Sequence, residues 1–156
     1  MATSIRRYRP DDASATRRVF DRAIRVTAAA DYTPEQIEAW AGGVDPAGWA
    51  ARRASAATWV AERDGAVVGF TDIDDHGYID MMFVDPEVGR SGIAGALLAH
   101  VTAIAAARGL SDLSVNASET ARPFFARYGF VVEASQEVVR AGIVLTNHRM
   151  TRRMGA

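Results

Sequence analysis

One stretch constrains this chain more than any other, and it runs from Val84 to Leu98. An apolar segment ends there, a loop containing Gly89, Gly92 and Gly95 follows, and apolar residues then recur at helical spacing. A strand that passes through such a loop into a helix leaves backbone N–H groups unpaired at the positive end of the helix dipole. The stretch therefore predicts an anion site that suits a phosphate or pyrophosphate group.

Two common phosphate loops do not fit this stretch. All 18 positively charged residues are arginine, so the lysine that a Walker-type loop places on the phosphates is missing, and a Schiff-base lysine is excluded as well. The glycines are spaced Gly-x-x-Gly-x-x-Gly, whereas the dinucleotide fingerprint is Gly-x-Gly-x-x-Gly. The segments before the loop also indicate an antiparallel meander, which the dinucleotide fold does not contain.

Composition sets the remaining limits. A length of 156 residues with 49% apolar residues predicts one domain spanning residues 1–156. The absence of cysteine excludes disulfides and thiolate metal sites, and no metal is predicted. A net charge of −1 gives no basic footprint for nucleic acid. The apolar runs are too short for a bilayer and no signal peptide opens the chain, so we expect a cytoplasmic protein.

Periodicity and turn signals give the order of the elements. Strands are predicted over 4–9, 58–63, 67–73, 78–84, 113–116, 130–140 and 143–152, and helices over 12–29, 33–42, 46–53, 90–108 and 120–128. The Asp64-Gly65 pair marks a hairpin, and Thr33 with Gln36 forms a capping box around Pro34. This order predicts an α/β fold in which helices flank both faces of a mixed, mostly antiparallel sheet.

Two motifs resemble a known family. The run Phe83-Val84-x-Pro86-x-x-x-Arg90-x-Gly92-Ile93-Ala94-x-x-Leu97-Leu98 resembles the acetyl-CoA motif of the GNAT N-acetyltransferases. The run Ser118-x-x-Ala121-Arg122-Pro123-Phe124-Phe125-x-x-x-Gly129-Phe130 resembles the next segment of that superfamily. The segments 32–36, with Trp40, and 145–150 are similar to one little-characterised bacterial subgroup. The resemblance covers nearly the whole chain and implies the GNAT, or acyl-CoA N-acyltransferase, fold.

The resemblance also implies a role for each matching residue. The backbone of Met82, Phe83 and Val84 would pair with the pantetheine arm of acetyl-CoA, and one of these N–H groups would polarise the thioester carbonyl. The pyrophosphate would lie on the backbone N–H groups of the loop, whose members are Gly89, Arg90, Ser91, Gly92, Ile93 and Ala94. The far side of the arm would be bordered by Ser118, Phe124 and Phe125.

Asp80 is the best candidate for the base that takes the proton of the attacking amine. It lies in an otherwise apolar predicted strand, two residues before Met82, where an unpaired carboxylate would be costly. A salt bridge to an arginine, or the orientation of a water, explains Asp80 equally well. The rival bases are Asp72, Glu62 and His76, whereas His100 and His148 fit structural roles better.

The sequence departs from the family pattern at two positions. Many GNAT enzymes have a tyrosine four residues before the Gly of Gly-Phe, and this chain has Phe125, which cannot protonate the leaving thiolate. Tyr128 lies three residues later on another side of the helix and is no simple substitute. Gly89 stands where the motif usually has Gln or Arg, which removes a side-chain contact and leaves the backbone cradle intact.

The resemblance thus implies transfer of an acetyl group from acetyl-CoA to an amine by direct attack. Aromatic residues and carboxylates around residues 31–53, Asp72 and Asp80 favour a small amine over an anion. Two alternatives stay open: an acyl-CoA-binding sensor or pseudoenzyme, which Phe125 favours, and a protein N-acetyltransferase with an open groove. A homodimer through the terminal strands is suggested by analogy alone.

Overall fold

The computed structural model describes residues 2–155. The elements in chain order are β1 (Thr3–Arg7), α1 (Ala13–Arg22), α2 (Pro34–Ala41), α3 (Pro46–Ser55), β2 (Thr58–Arg63), β3 (Ala66–Asp72), β4 (Tyr78–Ile79), β5 (Met82–Val84), α4 (Ile93–Ala107), β6 (Asp112–Ser118), α5 (Arg122–Arg127), β7 (Val131–Arg140) and β8 (Ile143–Arg153). The predicted helices and strands are present with ends shifted by a few residues, apart from the strand over 78–84.

The strands form two sheets of four strands each. The first has the order β1-β2-β3-β5 and is antiparallel throughout, and the second has the order β4-β6-β8-β7. Only the pair β4–β6 is parallel within the described residues, and α4 lies on the crossover that such a pair requires. The prediction of a mixed, mostly antiparallel sheet is confirmed, and the structure divides that sheet in two.

The single strand predicted over 78–84 is wrong, because the chain leaves the second sheet after Ile79 and enters the first at Met82. The cause lies in β3, where the Asp72 carboxylate accepts the backbone N–H of Asp80 at 2.8 Å and of Met81 at 3.2 Å. The hydroxyl of Thr71 donates to the Met81 carbonyl at 2.8 Å. These side chains replace the ladder hydrogen bonds that a continuous strand would make, so the break is stable.

Helices cover both faces of the first sheet. On β3, Phe70 packs against Trp49 of α3, with ring centroids 5.8 Å apart. The preceding residue, Gly69, faces the other way, where a Cβ would lie 3.2 Å from Ile93 and 3.3 Å from Leu97 of α4. Successive strand residues point to opposite faces, so α1–α3 and α4 sandwich the sheet. This confirms the predicted arrangement of helices.

The first helix is less regular than the predicted helix 12–29. A π-helical turn over Ala23–Thr27 and a 3₁₀ turn over Ala28–Ala30 follow α1. The capping box of α2 is formed as predicted: Thr33 accepts the Gln36 N–H at 3.2 Å, and the Gln36 side chain accepts the Thr33 N–H at 2.9 Å. The turns and the capped helix bring Tyr32 over the end of the second sheet, where its hydroxyl donates to the Thr146 carbonyl at 2.8 Å.

Candidate active site

The two sheets separate between β5 and the end of β6, and each leaves an unpaired strand edge there. After Val115, one edge of β6 still pairs with β8, but the other edge no longer has a partner, because β4 ends there. Within residues 2–155, β5 pairs only with β3. We call the gap between β5 and residues 116–118 of β6 the cofactor cleft. Both of its walls are strand edges, and such edges can pair with an extended ligand.

The hydrogen bonds of β5 show which of its groups face the cofactor cleft. The Met81 carbonyl accepts the backbone N–H of Asp72 in β3 at 3.2 Å, and the Asp85 N–H donates to the backbone carbonyl of Val68 in β3 at 2.8 Å. Antiparallel ladders alternate, so Phe83 between them also faces β3. Met82 and Val84 therefore present their N–H and C=O groups to the cleft. Of the three residues predicted to pair with the pantetheine arm, these two can do so, whereas the backbone of Phe83 is bonded to β3.

The loop of residues 85–92, which we call the phosphate loop, follows β5 directly. It contains a 3₁₀ turn over Pro86–Val88, and then Arg90 and Gly92 adopt left-handed φ angles of 64° and 84°. The backbone N–H groups from position 90 to position 95 have no protein acceptor among residues 2–155, and the first bonded N–H of α4 is that of Ala96. Consecutive free N–H groups at a helix N-terminus form an anion cradle.

The cradle differs from the prediction at its two ends. The N–H of Gly89 donates to the Pro86 carbonyl at 3.2 Å, so it belongs to the turn and is not available to a phosphate. At the other end, Gly95 adds an N–H that the prediction did not include. The Ser91 hydroxyl donates to the Val88 carbonyl and is likewise used within the loop.

Side chains fix the phosphate loop in place. Arg22 of α1 lies 3.5 Å from Asp85 and 3.3 Å from Glu87, and Asp85 accepts the Glu87 N–H at 3.0 Å. On the other side, Ile93 is 2% exposed and holds the first turn of α4 against the sheet. Arg90 and Ser91 are exposed and Ala94 is half-buried, so the surface of the cradle is mostly backbone.

The opposite wall consists of the end of β6 and the start of α5. The Ser118 hydroxyl accepts the Ala121 N–H at 3.0 Å, which holds the turn into α5. Phe124 is half-buried and packs between Phe125 and Tyr128, with ring centroids 5.1 Å and 5.0 Å away. Phe125 is 3% exposed and lies in the core of the second sheet, so its ring supports the wall from behind.

Asp80 lies at the strand break, beside the inner end of the cofactor cleft. Its side chain is 57% exposed, because the strand that was expected to bury it is interrupted at this residue. Asp80 is therefore not the buried carboxylate that the sequence predicts, whereas the arginine partner is present: Nη2 of Arg53 lies 3.9 Å from Oδ2 of Asp80. The backbone N–H of Asp80 is held by Asp72.

Beneath Asp80 lies a buried ion pair. Arg53 donates to Asp72 at 2.8 Å, and their side chains are 2% and 4% exposed. The guanidinium also lies 5.3 Å from the ring of Trp49 and 5.8 Å from that of Phe70, in the range of cation–π contacts. Burial raises the pKa of Asp72, and the hydrogen bonds from Arg53 and the backbone oppose that rise. Asp72 is thus a structural anchor and is not positioned as a free base.

The other rivals of Asp80 lie away from the cofactor cleft. Glu62 on β2 is paired with Arg6 at 2.7 Å, two strands from β5. His76 is in the exposed turn before β4, and His100 of α4 makes an edge contact with Trp59, with ring centroids 4.3 Å apart and ring planes inclined by 62°. These positions leave Asp80 as the only one of the four candidate bases that is exposed beside the strand break.

Sequence reasoning missed a row of polar side chains beside Asp80. The amide of Asn116 donates to the Tyr78 hydroxyl at 3.2 Å, and Gln136 donates to the side-chain carbonyls of Asn116 and Asn147 at 3.2 Å and 3.0 Å. We call Asn116, Gln136 and Asn147 the amide row. The three residues come from three strands, and only the pairing of β6, β8 and β7 brings them together.

A second polar group closes the end of β6. The Tyr32 hydroxyl accepts the Glu119 N–H at 2.8 Å, and the Glu119 carboxylate lies 2.7 Å from Nε2 of His148. His148 is 6% exposed, and its Nδ1 lies 2.9 Å from the Ser135 hydroxyl. The hydrogen bond with His148 lowers the pKa of Glu119. Both ring nitrogens of His148 have partners, which fits the structural role expected for it.

Comparison with known proteins gives one consistent family. The family model of the GNAT acetyltransferase domain matches residues 28–152. YafP of Escherichia coli strain K12, named as an uncharacterised N-acetyltransferase, is 42% identical over 146 residues, covering 94% of this chain and 93% of YafP.

Two solved structures extend the comparison to the fold. A GCN5-related N-acetyltransferase from Rhodopseudomonas palustris, also named as a class-II aminotransferase, has a TM-score of 0.95 at 35% identity and covers 99% of this chain and 97% of that one. PaiA N-acetyltransferase from Thermoplasma acidophilum, solved with coenzyme A, has a TM-score of 0.80 at 17% identity and covers 99% and 100%.

Two further features are absent from residues 2–155. No helix there combines the length and apolar character needed to cross a membrane. No group of three or more histidine, aspartate or glutamate side chains there could hold a metal ion.

Proposed function

The chain belongs to the GNAT family of acetyltransferases, and from this premise we propose that it transfers the acetyl group of acetyl-CoA to the amine of a small polar molecule, with Asp80 as the base. The observation that carries the proposal is the combination of the anion cradle with the cofactor cleft. The cradle follows directly after β5, so one extended ligand can place a pyrophosphate on the cradle and an arm along the strand. Coenzyme A has this arrangement of groups.

The backbone of β5 supplies the electrophilic assistance. Met82 and Val84 present their N–H groups to the cofactor cleft, and either can donate to the thioester carbonyl oxygen as negative charge develops on it. Neither group has to be reoriented during the reaction, because β3 fixes the strand on its other side. In the same proposal the pyrophosphate accepts hydrogen bonds from the backbone N–H groups of the cradle, which belong to Arg90, Ser91, Gly92, Ile93, Ala94 and Gly95. Gly89 contributes by closing the turn before the cradle, where its N–H donates to the Pro86 carbonyl.

Asp80 takes the proton of the attacking amine, directly or through one water. It is the exposed carboxylate at the strand break, and Arg53 keeps it on this side of the sheet. A general base contributes a rate factor of about 10² to 10⁴ when it lies within reach of the proton. Attack by the neutral amine then gives the amide and releases coenzyme A.

The amide row favours a small acceptor that carries hydroxyl or amide groups beside its amine. Its members both donate and accept hydrogen bonds, and no arginine takes part in the row. A carboxylate next to such a surface suits an amine better than an anion, since an anion would be repelled by Asp80.

The test is a thiol-release assay with acetyl-CoA over a panel of small amines, hydroxylated amines and peptides. We expect turnover with a small polar amine, and a loss of about a hundredfold in kcat for Asp80→Asn without a change in acetyl-CoA affinity. Asp75→Asn is the matched control, because Asp75 is an exposed aspartate in the turn before β4. Failure of every amine to react while acetyl-CoA still binds would leave the sensor or pseudoenzyme reading, which Phe125 favours.

A protein acetyltransferase is the remaining alternative, and the same panel distinguishes it, because peptides would then react faster than every small amine.

Homodimer formation through the terminal strands is part of the proposal as well. Within residues 2–155, β7 pairs only with β8, and the exposed Val131 and Val139 lie on it. Analytical ultracentrifugation is the measurement, and a purely monomeric protein at assay concentration contradicts this part.

A further inference from the structure

The leaving group of the proposed reaction needs a proton that the usual position cannot supply. Acetyl transfer to an amine ends with a thiolate, and protonation of its sulfur makes that step easier. At the corresponding position of α5 this chain has Phe125, which has no proton to give and is 3% exposed. Another group near the inner end of the cofactor cleft therefore has to supply the proton, and the chain has four tyrosines.

Three of these tyrosines are unsuitable for physical reasons. Tyr32 donates its proton to the Thr146 carbonyl at 2.8 Å, so that proton is already committed. The hydroxyl of Tyr128 lies against Gly95 in the first turn of α4, at the phosphate end of the cleft. Tyr8 follows β1, which is the strand of the first sheet farthest from β5.

Tyr78 differs from the others in both place and bonding. It is the half-buried first residue of β4, two positions before Asp80, and its hydroxyl oxygen accepts from the Asn116 amide at 3.2 Å. Asn116 is the first residue of β6 beyond the pairing with β4, so the hydroxyl lies where the cofactor cleft begins. Because Asn116 donates to the phenol oxygen, the proton of Tyr78 is free to be given to another acceptor.

We propose that Tyr78 is the proton donor to the sulfur of coenzyme A as the thioester breaks. The proposal rests on the proposed function and assigns a residue that the family motif does not provide. The amine nitrogen forms a bond to the acetyl carbon, the carbon–sulfur bond breaks, and the sulfur takes the proton of Tyr78. Asp80 has taken the amine proton and returns it to the Tyr78 phenolate through water, so the site ends as it began.

The charges around Tyr78 keep it protonated until that step. Burial raises the pKa of its phenol first of all, and the carboxylates of Asp80, Asp72 and Asp74 raise it further, while the hydrogen bond from Asn116 acts in the other direction. The phenol is therefore an acid at neutral pH, beside a carboxylate that serves as the base. Two neighbouring groups with opposite proton states are the usual arrangement for acid–base chemistry.

The kinetic test compares Tyr78→Phe with Tyr8→Phe. We expect Tyr78→Phe to lower kcat about a hundredfold while leaving the KM for acetyl-CoA unchanged. The alkaline fall of kcat that comes from loss of the phenol proton should be absent in this variant. Tyr8→Phe should keep both the rate and the profile, and circular dichroism checks that both variants fold. Equal rates for Tyr78→Phe and the wild-type protein would overturn the proposal.

A second measurement does not depend on finding the acceptor. Coenzyme A is bound to each protein, and the ultraviolet absorbance of its thiolate is followed against pH. Because a donated hydrogen bond stabilises the thiolate, we expect the bound thiol to titrate about one pH unit higher in Tyr78→Phe than in the wild-type protein and in Tyr8→Phe. The same titration in all three proteins would sink the proposal, even if acetyl transfer itself were confirmed. Absence of amine turnover would instead count against the proposed function alone.

Discussion

At the scale of single residues, glycine sets the path of the phosphate loop. Gly92 needs its left-handed φ of 84° to join the phosphate loop to α4, and it leaves open space above the cradle. The sequence predicts a glycine loop with unpaired backbone N–H groups, and the structure has such groups at the start of α4. It did not show that the N–H of Gly89 is used inside the turn, since that depends on the path of the backbone.

Gly95 provides a residue-scale prediction. A Cβ at this position would lie 2.5 Å from the Tyr128 hydroxyl oxygen, whereas the next atom of the tyrosine is 3.4 Å away. We expect Gly95→Ala to stabilise the Tyr128→Phe protein by about 0.5–1 kcal/mol through helix propensity, and to stabilise the wild-type protein less or destabilise it. Urea unfolding of the four proteins in this cycle measures the coupling, and equal effects in both backgrounds would contradict it.

At the scale of elements, the start of α4 and the strand break shape the candidate site. The helix begins at the cradle and ends before Gly109, whose φ is 71°. The break between β4 and β5 turns Asp80 towards solvent and frees an edge of β5. The sequence predicted both flanking segments as strand, but it could not show the interruption, because Asp72 acts on it from a different strand.

The ends of α4 give a matched pair of variants. Gly92→Ala and Gly109→Ala each place a Cβ at a left-handed position with no other atom within 4 Å. Both should therefore lose about 1–2 kcal/mol of unfolding free energy. Only Gly92→Ala should also weaken coenzyme A binding, by about tenfold, because Gly92 supplies one of the cradle N–H groups. Calorimetric titration checks this, and unchanged affinity in Gly92→Ala would move the phosphate site elsewhere.

The buried pair of Arg53 and Asp72 gives a prediction about the strand break. Asp72→Ala should cost about 3–5 kcal/mol, because it removes the buried partner of Arg53 and leaves only the more distant, exposed Asp80 carboxylate beside that charge. Arg53→Met combined with Asp72→Asn should cost less than Asp72→Ala alone, since no buried charge then remains. Guanidinium unfolding provides the values, and a double variant as unstable as Asp72→Ala would argue against the ion pair as the cause.

At the scale of the whole molecule, the cofactor cleft lies between two separate sheets, because β5 and β6 belong to different sheets and do not pair with each other. The first sheet supplies β5 and the phosphate loop, and the second supplies residues 116–118 and the amide row. A ligand that bridges them binds the folded state and not the unfolded chain. Occupancy of the cleft should therefore stabilise the entire fold.

Coenzyme A should raise the melting temperature in a concentration-dependent way. At a free concentration 100 times its Kd, the expected gain is about 2.7 kcal/mol of unfolding free energy. Thermal unfolding with and without coenzyme A measures this, with Gly109→Ala as the control that keeps the gain and Gly92→Ala as the variant that loses part of it. No shift at any concentration would show that the cleft is not a coenzyme A site.

The sequence alone determined the order of elements, the capping of α2, the glycine loop and the family, because all of these depend on neighbours along the chain. Only the tertiary structure decided the strand break, the exposure of Asp80 and the burial of Phe125. It also brought together Tyr78, Asn116 and Gln136, which come from three strands. The physical reason is that a buried side chain such as Asp72 forms its hydrogen bonds with whatever backbone folding places beside it. The loop from Val84 to Leu98 could therefore be predicted from the sequence, whereas the arrangement of the polar side chains across from it depends on the tertiary structure.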